Sequence, residues 1–245
     1  MAVIIYICAI ITAYLIGAIS PSIILYKRKT GEDIRSIGSK SAGTTNIARG
    51  LGKKYATLIF VCDFLKGIIG VFVAIIVATS IATFAYPDSL GPSAIVYVIP
   101  ASVFAVILGH IFPVYYRFKG GKGVATALGA CLFLQPIVGA YIIIVIAILA
   151  LIIRTISVAS LTAFGTAPIF ALLTPYIVYT FPNFFAKIFP SSFEGIDLTT
   201  IKPSDAHVDI LSFAIFLCLA ILVFWTHREN IKRLIAGTES SIAKK

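Results

Sequence analysis

Residues 118–126 read FKGGKGVAT, and their types suggest chemistry more clearly than any other part of the chain. They form a glycine-rich, doubly basic turn between two segments that are apolar enough to be membrane helices. Glycines allow backbone N–H groups to point into a common concavity, and lysines add mobile positive charge. The pattern predicts a site for phosphate or another anion at a membrane surface. Its candidate residues are Lys119, Gly120, Gly121, Lys122 and Gly123.

A second polar cluster, GEDIRSIGSKSAGTTNIARGLGKK, covers residues 31–54. Its hydroxyl, amide and backbone N–H groups supply hydrogen-bond donors, and its arginines can bind phosphate through two parallel hydrogen bonds. A basic loop that only fixes membrane orientation would explain the lysines, but not the density of Gly, Ser, Thr and Asn. We therefore favour an anion-binding role. The candidate residues are Gly38, Ser39, Thr45, Asn46 and Arg49, with Arg35 as a further arginine.

A third cluster, THRENIKRLIAGTES, covers residues 226–240 directly after the last apolar segment. A basic tail next to a membrane often only anchors the chain to anionic lipid, and that alternative stays open. His227, Asn230 and Arg233 are spaced i, i+3, i+6, however, so they share one face of a helix. Glu239 lies in the same cluster. The spacing favours a functional group of side chains over a simple anchor.

Polar side chains also interrupt the apolar segments. Asp63 and Lys66 are i, i+3 within one segment, a spacing that allows an ion pair. Ionisable groups in membrane spans are candidate functional groups, although a structural ion pair is nearly as good an interpretation. His110, near the end of another segment, fits the role of a base, a donor or a packing residue. A further polar patch comprises Arg154, Ser157 and Ser160.

The composition indicates a membrane protein. The chain has 245 residues, of which 59% are hydrophobic and 12% are charged, whereas charged residues make up about 25% of soluble domains. Several spans of about 20 residues fit into this length and leave little chain for a soluble domain. We therefore interpret residues 1–245 as a single integral membrane domain. The net charge of +10 resides in short loops, which does not favour nucleic acid as a partner.

Apolar runs, each taken as one helix, predict the membrane crossings. Gln135 and Pro136 interrupt one run, and proline breaks or kinks a helix, so we split that run into two short crossings. The seven resulting helices form an all-α polytopic bundle with its N-terminus outside and its C-terminus in the cytoplasm. All of the 20 Lys and Arg residues except Lys187 and Lys202 then lie on the inner side, as the positive-inside rule requires. The runs cover about 2–26, 55–84, 92–116, 124–153, 156–180 and 208–226.

Absent motifs narrow the chemistry. The chain has no G-x-x-x-x-G-K-[ST] nucleotide-binding loop and no G-x-S-x-G nucleophile turn. None of its histidines is followed five residues later by the aspartate of an H-x-x-x-x-D pair. Carboxylates on the inner side are too few for a two-metal site. What remains is a cationic, donor-rich site for substrates that bring their own negative charge, with no metal or other cofactor.

Three motifs, in order along the chain, resemble the bacterial acyl-phosphate:glycerol-3-phosphate acyltransferase family of integral membrane enzymes. The family's first motif, roughly DxR..GSGN.GATN..R, is similar to residues 33–49. Its second, GHxFPV…FKGGKGVAT, is similar to 109–126, and its third, HRxNIxRLxxGxE, to 227–239. A DFLKG segment at 63–67 also matches. The chain departs from the family at Lys40-Ser41, where Gly-Asn is usual, and at Thr44, where Ala is usual.

The resemblance implies transfer of a fatty acyl group from acyl phosphate to the 1-hydroxyl of glycerol 3-phosphate. The products would be 1-acyl-glycerol 3-phosphate (lysophosphatidic acid) and phosphate, in the first acylation of phospholipid biosynthesis. It further implies a multi-pass protein of the bacterial cytoplasmic (inner) membrane, with its active site facing the cytoplasm. The expected partners are the two substrates and the lipid bilayer, and no obligate protein partner is evident.

For the mechanism we expect direct attack of the hydroxyl group, without a covalent acyl-enzyme. The predicted catalytic residues are His110, Lys122 and Ser39, with the departing phosphate or His110 as the proton acceptor. The predicted substrate-binding residues are Gly38, Thr45, Asn46, Arg49, Lys66, Lys119, Gly120, Gly121, Gly123, Ser157, Ser160, His227, Asn230, Arg233 and Glu239.

Two other functions would use similar clusters. A membrane carrier or channel for an organic phosphate needs polar residues near the midplane along a continuous path, whereas the charges here crowd at one face. A non-catalytic scaffold that binds anionic lipid explains the charge, but not three dense motifs. Acyl transfer without transport would separate the three hypotheses.

Overall fold

The computed structural model describes residues 2–85, 93–181, 183, 187 and 209–239. The regular structure of these residues is helical, which confirms the all-α prediction. Two short 3₁₀ turns, Ile34–Ser36 and Val114–Tyr116, lie in connecting loops. The α-helices are α1 Ala2–Ala18, α2 Pro21–Thr30, α3 Thr44–Leu51, α4 Lys53–Ala85, α5 Ser93–Ile111, α6 Val124–Leu134, α7 Pro136–Ile153, α8 Ile156–Thr180, α9 Ile210–Thr226 and α10 Arg228–Ile235.

Within the described residues, five helical stretches are long and apolar enough to cross a membrane. The pair α9 and α10 qualifies as a sixth with a bend of 63°, and α6 is a shorter apolar helix. The polytopic membrane bundle is therefore confirmed, whereas seven crossings with the N-terminus outside remain a prediction. Of the two lysines assigned to the outer side, Lys202 is not among the described residues. The five stretches are Val3–Thr30, Lys53–Phe84, Tyr97–Tyr116, Pro136–Ile153 and Ile156–Val178.

Two prolines set helix boundaries inside apolar runs. The predicted break at Gln135 is confirmed, because this residue is extended (φ −155°, ψ 99°) between α6 and α7. The run 2–26, predicted as one helix, contains a second break: Ser20 is extended (φ −111°, ψ 93°), and Pro21 begins α2. The residue before a proline avoids helical geometry, and proline suits the first helical position. The run therefore lies in one membrane stretch, Val3–Thr30, as predicted, but it contains a break at Ser20 that the prediction did not include.

Small residues let the helices of the bundle approach one another closely. A Cβ at Gly17 of α1 would overlap the backbone of Val106 in α5, and one at Gly109 of α5 would overlap the carbonyl of Tyr14. Gly67 of α4 faces the backbone of α6 in the same way. Membrane helices depend on such close packing, because lipid tails are as apolar as the side chains themselves. The contacts hold α1, α4, α5 and α6 together as the core that carries the polar segments.

Large apolar side chains cover the outside of the bundle. Leu151 and Ile152 near the end of α7 are 78% and 71% exposed, and Phe84 near the end of α4 is 88% exposed. A surface with many such side chains would be unfavourable in water and suits contact with lipid. The burial pattern therefore agrees with a protein embedded in a bilayer.

The segment 31–52 folds over a small apolar core of its own. Ile34, Ala42 and Ile47 are buried together with Ile23 of α2 and Ile59 of α4. Burying such side chains stabilises this segment against the ends of the two helices. The first polar cluster is therefore a folded cap on the bundle, and its polar residues have defined positions.

Candidate active site

Five of the predicted site residues meet in one hydrogen-bond network. Lys122 Nζ donates to Asn230 Oδ1 over 2.6 Å. The Asn230 amide nitrogen donates in turn to Ser157 Oγ and to Glu239 Oε1, both at 2.6 Å. Ser157 also donates to Glu239 Oε1, and Arg233 Nε donates to Glu239 Oε2 over 2.7 Å. The turn before α6, the start of α8 and the region of α10 therefore converge on one point.

The bend between α9 and α10 places this network at the end of the bundle. α10 departs from the α9 axis by 63°. As the sequence spacing predicts, Asn230 and Arg233 lie on one face of α10 and both reach Glu239. His227 is buried at the bend, where its Nδ1 donates to the carbonyl of Val223 over 2.8 Å. Because a carbonyl only accepts, this contact fixes the tautomer that carries its proton on Nδ1.

Glu239 is held as a carboxylate by its partners. Burial raises its pKa, but hydrogen bonds from Ser157, Arg233 and Asn230 more than offset this effect, so the pKa lies below its ordinary value. A carboxylate that already accepts from three side chains is a poor proton donor or acceptor for a reaction. Its role is to orient the amide and the hydroxyl group that surround Lys122.

Lys122 is partly buried among charges of both signs. Burial lowers its pKa from 10.5 to about 8, Glu239 opposes that shift, and Arg233 and Arg49 add to it. Arg49 belongs to the first polar cluster, Lys122 to the glycine-rich turn and Arg233 to the third cluster. Three segments that are far apart in the sequence thus form one electropositive site.

We expect anion binding at this site to weaken as the pH rises through about 8, where Lys122 loses its proton. Phosphate monoesters change ionisation near pH 6, so their titration does not overlap this window. The dissociation constant of a phosphate monoester, measured below and above pH 8, checks the prediction. Arginine stays charged throughout this range, so Lys122→Arg should remove the decline. A decline of the same size in that variant would show that another group titrates.

Asn46 organises the first polar cluster from within. Its Nδ2 donates to the carbonyl oxygens of Ile34, Ile37 and Ser41 at 2.9 to 3.1 Å. Its Oδ1 accepts from the backbone N–H of Ser39 over 3.1 Å. The side chain is 1% exposed, and its N–H bonds are all used within the loop. The structure therefore does not support the predicted contact of Asn46 with a substrate.

Three polar side chains next to Asn46 remain accessible. Ser39 is partly exposed, and Thr45 and Arg49 are exposed. Gly38 has a φ of 51°, and a Cβ there would overlap Asn46 Oδ1 and lie 3.4 Å from Arg49 Cδ. Glycine at this position therefore leaves room for the Asn46 side chain, whereas the distance to Arg49 is an ordinary contact. Of the side chains predicted to bind a ligand in the first cluster, these three are accessible, whereas Asn46 is buried.

Lys40 shows how the loop accommodates a departure from the family motif. Its φ is 55°, in the left-handed region. The motif that residues 33–49 resemble has glycine at this position, and glycine adopts this conformation without the steric cost of about 1 to 2 kcal/mol that other residues pay. The Lys40 side chain is exposed and adds a cation to the surface of the loop.

The first cluster and the glycine-rich turn are joined directly. Arg35 Nη1 donates to the carbonyl oxygens of Tyr116 and Lys119, both at 2.8 Å. Its Nη2 pairs with Asp33 over 2.6 Å, and the hydrogen bond from Arg35 is the main reason why the pKa of Asp33 lies below its ordinary value. Arg35, which we considered as a phosphate ligand, therefore holds two loops together.

The glycine-rich turn packs back onto the end of α5. The N–H groups of Gly120 and Gly121 donate to the carbonyls of Ile111 and His110 over 3.0 and 3.2 Å. A Cβ at Gly120 would overlap the carbonyl of His110, and one at Gly121 would overlap its imidazole. The structure does not support the prediction that these two N–H groups bind an anion, because both are paired with backbone. Gly123 has a φ of 84° where α6 begins.

His110 and Lys66 belong to a separate buried group. His110 is 7% exposed, and its Nδ1 lies 3.1 Å from Thr126 Oγ1 and 3.5 Å from Asp63 Oδ1. Lys66 Nζ pairs with Asp63 over 2.8 Å, as the i, i+3 spacing predicts. The charged groups near His110 are Asp63 and Lys66, whereas those near Lys122 are Glu239, Arg233 and Arg49. The buried group is therefore separate from the Lys122 network.

Two further predicted residues take no part in the network. The Ser160 hydroxyl donates to the carbonyl of Ile156 in its own helix, and the Lys119 side chain is exposed. Sequence reasoning missed Thr226, whose hydroxyl contacts the carbonyl of Lys122 over 3.3 Å. The sequence feature that could have identified Thr226 is a hydroxyl residue at the end of an apolar helix, directly before a basic motif. In the described part of the chain, no group of three or more His, Cys, Asp or Glu side chains is placed to hold a metal ion.

Comparison with known proteins covers nearly the whole chain. The family model described as "Glycerol-3-phosphate acyltransferase" matches residues 7–237. The glycerol-3-phosphate acyltransferase of Aquifex aeolicus (strain VF5) is 34% identical over 230 residues, which are 94% of this chain and 95% of that protein. Identity at this level over nearly the whole length of both proteins shows that they belong to the same family.

Two crystal structures of PlsY (YgiH), an integral membrane glycerol 3-phosphate acyltransferase, are similar in fold. The glycerol 3-phosphate form has a TM-score of 0.67 and 32% identity, and the lysophosphatidic acid form has a TM-score of 0.64 and 31% identity. Each comparison covers 96% of this chain and 94% of the other. From the family match, the relatives and the shared fold, we conclude that the chain belongs to the glycerol-3-phosphate acyltransferase family.

Proposed function

We propose that the protein transfers a fatty acyl group from acyl phosphate to the 1-hydroxyl of glycerol 3-phosphate and releases lysophosphatidic acid and phosphate. The observation that carries the proposal is the Lys122 network, whose ammonium group has Arg49, Arg233 and Glu239 as charged neighbours. A site with this excess of positive charge suits two substrates that both carry phosphate. PlsY structures in a glycerol 3-phosphate form and a lysophosphatidic acid form support the choice of acceptor and product.

The proposed reaction is a single acyl transfer. The hydroxyl oxygen of glycerol 3-phosphate attacks the carbonyl carbon of the mixed anhydride and forms an ester bond. The bond from that carbon to the phosphate oxygen breaks, and the phosphate departs with its electron pair. Negative charge grows on the carbonyl oxygen and on the departing phosphate, and the Lys122 ammonium stabilises this charge. Binding both substrates in one site also holds the hydroxyl oxygen close to the carbonyl carbon, which lowers the entropic part of the barrier.

The departing phosphate is the proton acceptor in this proposal. The alternative base, His110, is 7% exposed. Its Nδ1 contacts Thr126 and Asp63, and its Nε2 lies against the α-carbon of Gly121, where a Cβ would overlap it. A general base must come within hydrogen-bond distance of the proton that it removes. The burial of both ring nitrogens favours phosphate, so we assign His110 to support of the turn.

The accessible side chains suggest which groups bind the acceptor. We assign the phosphate of glycerol 3-phosphate to Arg49, with Ser39 and Thr45 as donors from the same loop. Arg233 completes the positive field but already donates to Glu239. Ser39, which we predicted as catalytic, contributes its hydroxyl group as a donor near the reacting atoms, since that hydroxyl makes no hydrogen bond within the described residues. Arginine suits this role because its planar fork matches phosphate geometry.

The helical bundle and its basic loops suggest where in the cell the reaction takes place. We propose a single membrane domain in the bacterial cytoplasmic membrane, with the three polar clusters facing the cytoplasm. The support is the concentration of basic residues in the connecting loops that carry these clusters. The acyl chain of the donor would remain in the bilayer, next to the exposed apolar side chains of the helices. Glycerol 3-phosphate would then arrive from water.

The experiment uses purified protein, radiolabelled glycerol 3-phosphate and either palmitoyl phosphate or palmitoyl-CoA, without added metal. We expect labelled lysophosphatidic acid from palmitoyl phosphate and none from palmitoyl-CoA. Heat-inactivated protein is the control for uncatalysed transfer, because acyl phosphate is itself reactive. Product from palmitoyl-CoA alone would overturn the donor assignment. No product from either donor, with a folded sample, would favour the organic-phosphate carrier, which uptake into proteoliposomes would then test.

A further inference from the structure

Asp63 and Lys66 of α4 are buried charges that the proposed reaction does not use. Their side chains are 3% and 9% exposed, and Asp63 Oδ1 lies 2.8 Å from Lys66 Nζ. Asp63 Oδ1 has no well-aligned hydrogen bond, so its contacts with Lys66 and His110 are mainly electrostatic. Charged groups within a membrane span are costly, and a pair persists only where it has a role in structure or function.

Lys66 reaches from this pair to the break in the first membrane stretch. Its Nζ donates to the carbonyl oxygen of Ile19 over 2.8 Å. The chain leaves helical geometry at the next residue, Ser20, and resumes it at Pro21. Carbonyl groups at such a break need partners from elsewhere in the protein, because lipid offers none. Lys66 therefore stabilises the break between α1 and α2.

On its other side, the pair reaches the glycine-rich turn. Asp63 Oδ1 lies 3.5 Å from His110 Nδ1, which also lies 3.1 Å from Thr126 Oγ1. The opposite ring nitrogen of His110 lies against Gly121, and the His110 carbonyl accepts the Gly121 N–H over 3.2 Å. The imidazole is thus fixed by α4 and α6 on one edge and supports the turn with the other.

A chain of hydrogen bonds leads from the turn back to the break. The carbonyl of Gly120 accepts from the N–H of Ala42 over 3.2 Å. The carbonyl of Ala42 accepts from Ser22 Oγ over 2.8 Å, and the Ser22 and Ser20 hydroxyls are 3.0 Å apart. The polar contacts therefore form a closed ring that joins the break, the buried ion pair, the turn and the first polar cluster.

We infer that Asp63 and Lys66 are positioning residues, which hold the glycine-rich turn and the first polar cluster in register through His110 and the α1–α2 break. The inference rests on the proposed function, because the register matters for catalysis only if these loops bind the substrates. Lys66, which we predicted as a substrate ligand, acts at a distance: within the described residues, its polar partners are Asp63 and the carbonyl of Ile19.

Three variants test this role: Asp63→Asn, Lys66→Gln and the double variant. Lys66→Gln keeps a donor for Ile19 but leaves the Asp63 carboxylate without its cation, so kcat/KM for glycerol 3-phosphate should fall about 100-fold, mainly through KM. The double variant removes both charges, and we expect it to recover part of this loss. Breaking one partner of a buried pair is more harmful than replacing both. Independent roles would instead give additive losses.

Hydrogen–deuterium exchange provides a readout that does not depend on turnover. In Lys66→Gln the amides of Gly120, Gly121 and Ala42 should exchange about tenfold faster than in the wild type. Peptides that cover 40–44 and 118–123 report on these amides. This result would support the inference even if the protein catalysed another reaction, so failure of the proposed function is distinguishable. Wild-type exchange in these peptides, in Lys66→Gln or in the double variant, would overturn the inference.

Thr79→Val is the matched control, because it removes a polar group from the same helix. Among the described residues, the Thr79 hydroxyl donates to carbonyl oxygens of its own helix, those of Ile75 and Ile76. We expect unchanged exchange at the two loops and unchanged kcat/KM. If Lys66→Gln does not accumulate as folded protein, the neutral double variant serves for the same measurement: faster exchange at the two loops supports the inference.

Discussion

Replacing Lys122 by methionine is expected to lower kcat for acyl transfer by about 100- to 1000-fold, the effect of removing one donor to a developing oxyanion. Methionine keeps the length and apolar character of the stem but removes the ammonium group that donates to Asn230 over 2.6 Å. In the proposed reaction, the charge that Lys122 stabilises is larger in the transition state than in the bound substrates. The loss should therefore fall on kcat more than on KM.

Initial rates with palmitoyl phosphate and varied glycerol 3-phosphate measure this effect. The matched control is Lys232→Met, since Lys232 lies on α10 but has a side chain that is 73% exposed and pairs with Glu229. Lys232→Met removes one positive charge, as Lys122→Met does, but leaves every contact of the Lys122 network in place. Its kcat should therefore stay near the wild-type value. If Lys122→Met left kcat and both Michaelis constants unchanged, the assignment of Lys122 would be wrong.

Gly120→Ala is expected to lower kcat/KM for glycerol 3-phosphate by about 100-fold, because a shift of about 1 Å in a binding group has effects of this size. A Cβ at this position would overlap the carbonyl of His110 and lie 2.9 Å from the carbonyl of Ile111. Both neighbours are backbone and cannot rotate away. The turn must therefore move, and the hydrogen bond from Ala42 to the Gly120 carbonyl weakens with it.

The same kinetic measurement, together with thermal unfolding in detergent, checks this prediction. Gly165→Ala is the control, because its Cβ would lie 3.4 Å from ring atoms of Phe224, an ordinary contact. We expect Gly165→Ala to retain wild-type kinetics. Wild-type kcat/KM in Gly120→Ala would show that the turn tolerates displacement, and it would contradict the close packing on which our account of the glycines depends.

The two variants act on different parts of the same site. Lys122→Met removes charge from a network whose geometry is set by Asn230 and Glu239, so loop structure should be retained. Gly120→Ala keeps every charged group but displaces the loop that carries Lys122 and contacts the first polar cluster. A kcat effect for the first and a combined KM and kcat effect for the second would separate electrostatic stabilisation from positioning.

Much of the protein could be inferred from the sequence, because the relevant signals are local. Apolar runs of membrane length predict spanning helices, since each backbone polar group must be paired within its own segment in lipid. Gln135-Pro136 predicted a helix break for an equally local reason. The dense clusters of Gly, Ser, Asn, Lys and Arg indicated the segments that carry the proposed site, because a loop that only fixes membrane orientation needs lysines but not this density of glycine, hydroxyl and amide groups.

The tertiary structure decided which members of those clusters are free to act. Asn46 and Arg35 look like ligands in the sequence, yet their donors are used on loop carbonyls. Lys122 and Asn230 look unrelated, yet they share a hydrogen bond of 2.6 Å. The physical reason is that each polar group has a limited number of hydrogen bonds. Which partner takes them depends on segments brought together by packing, and periodicity along one helix contains no information about that choice.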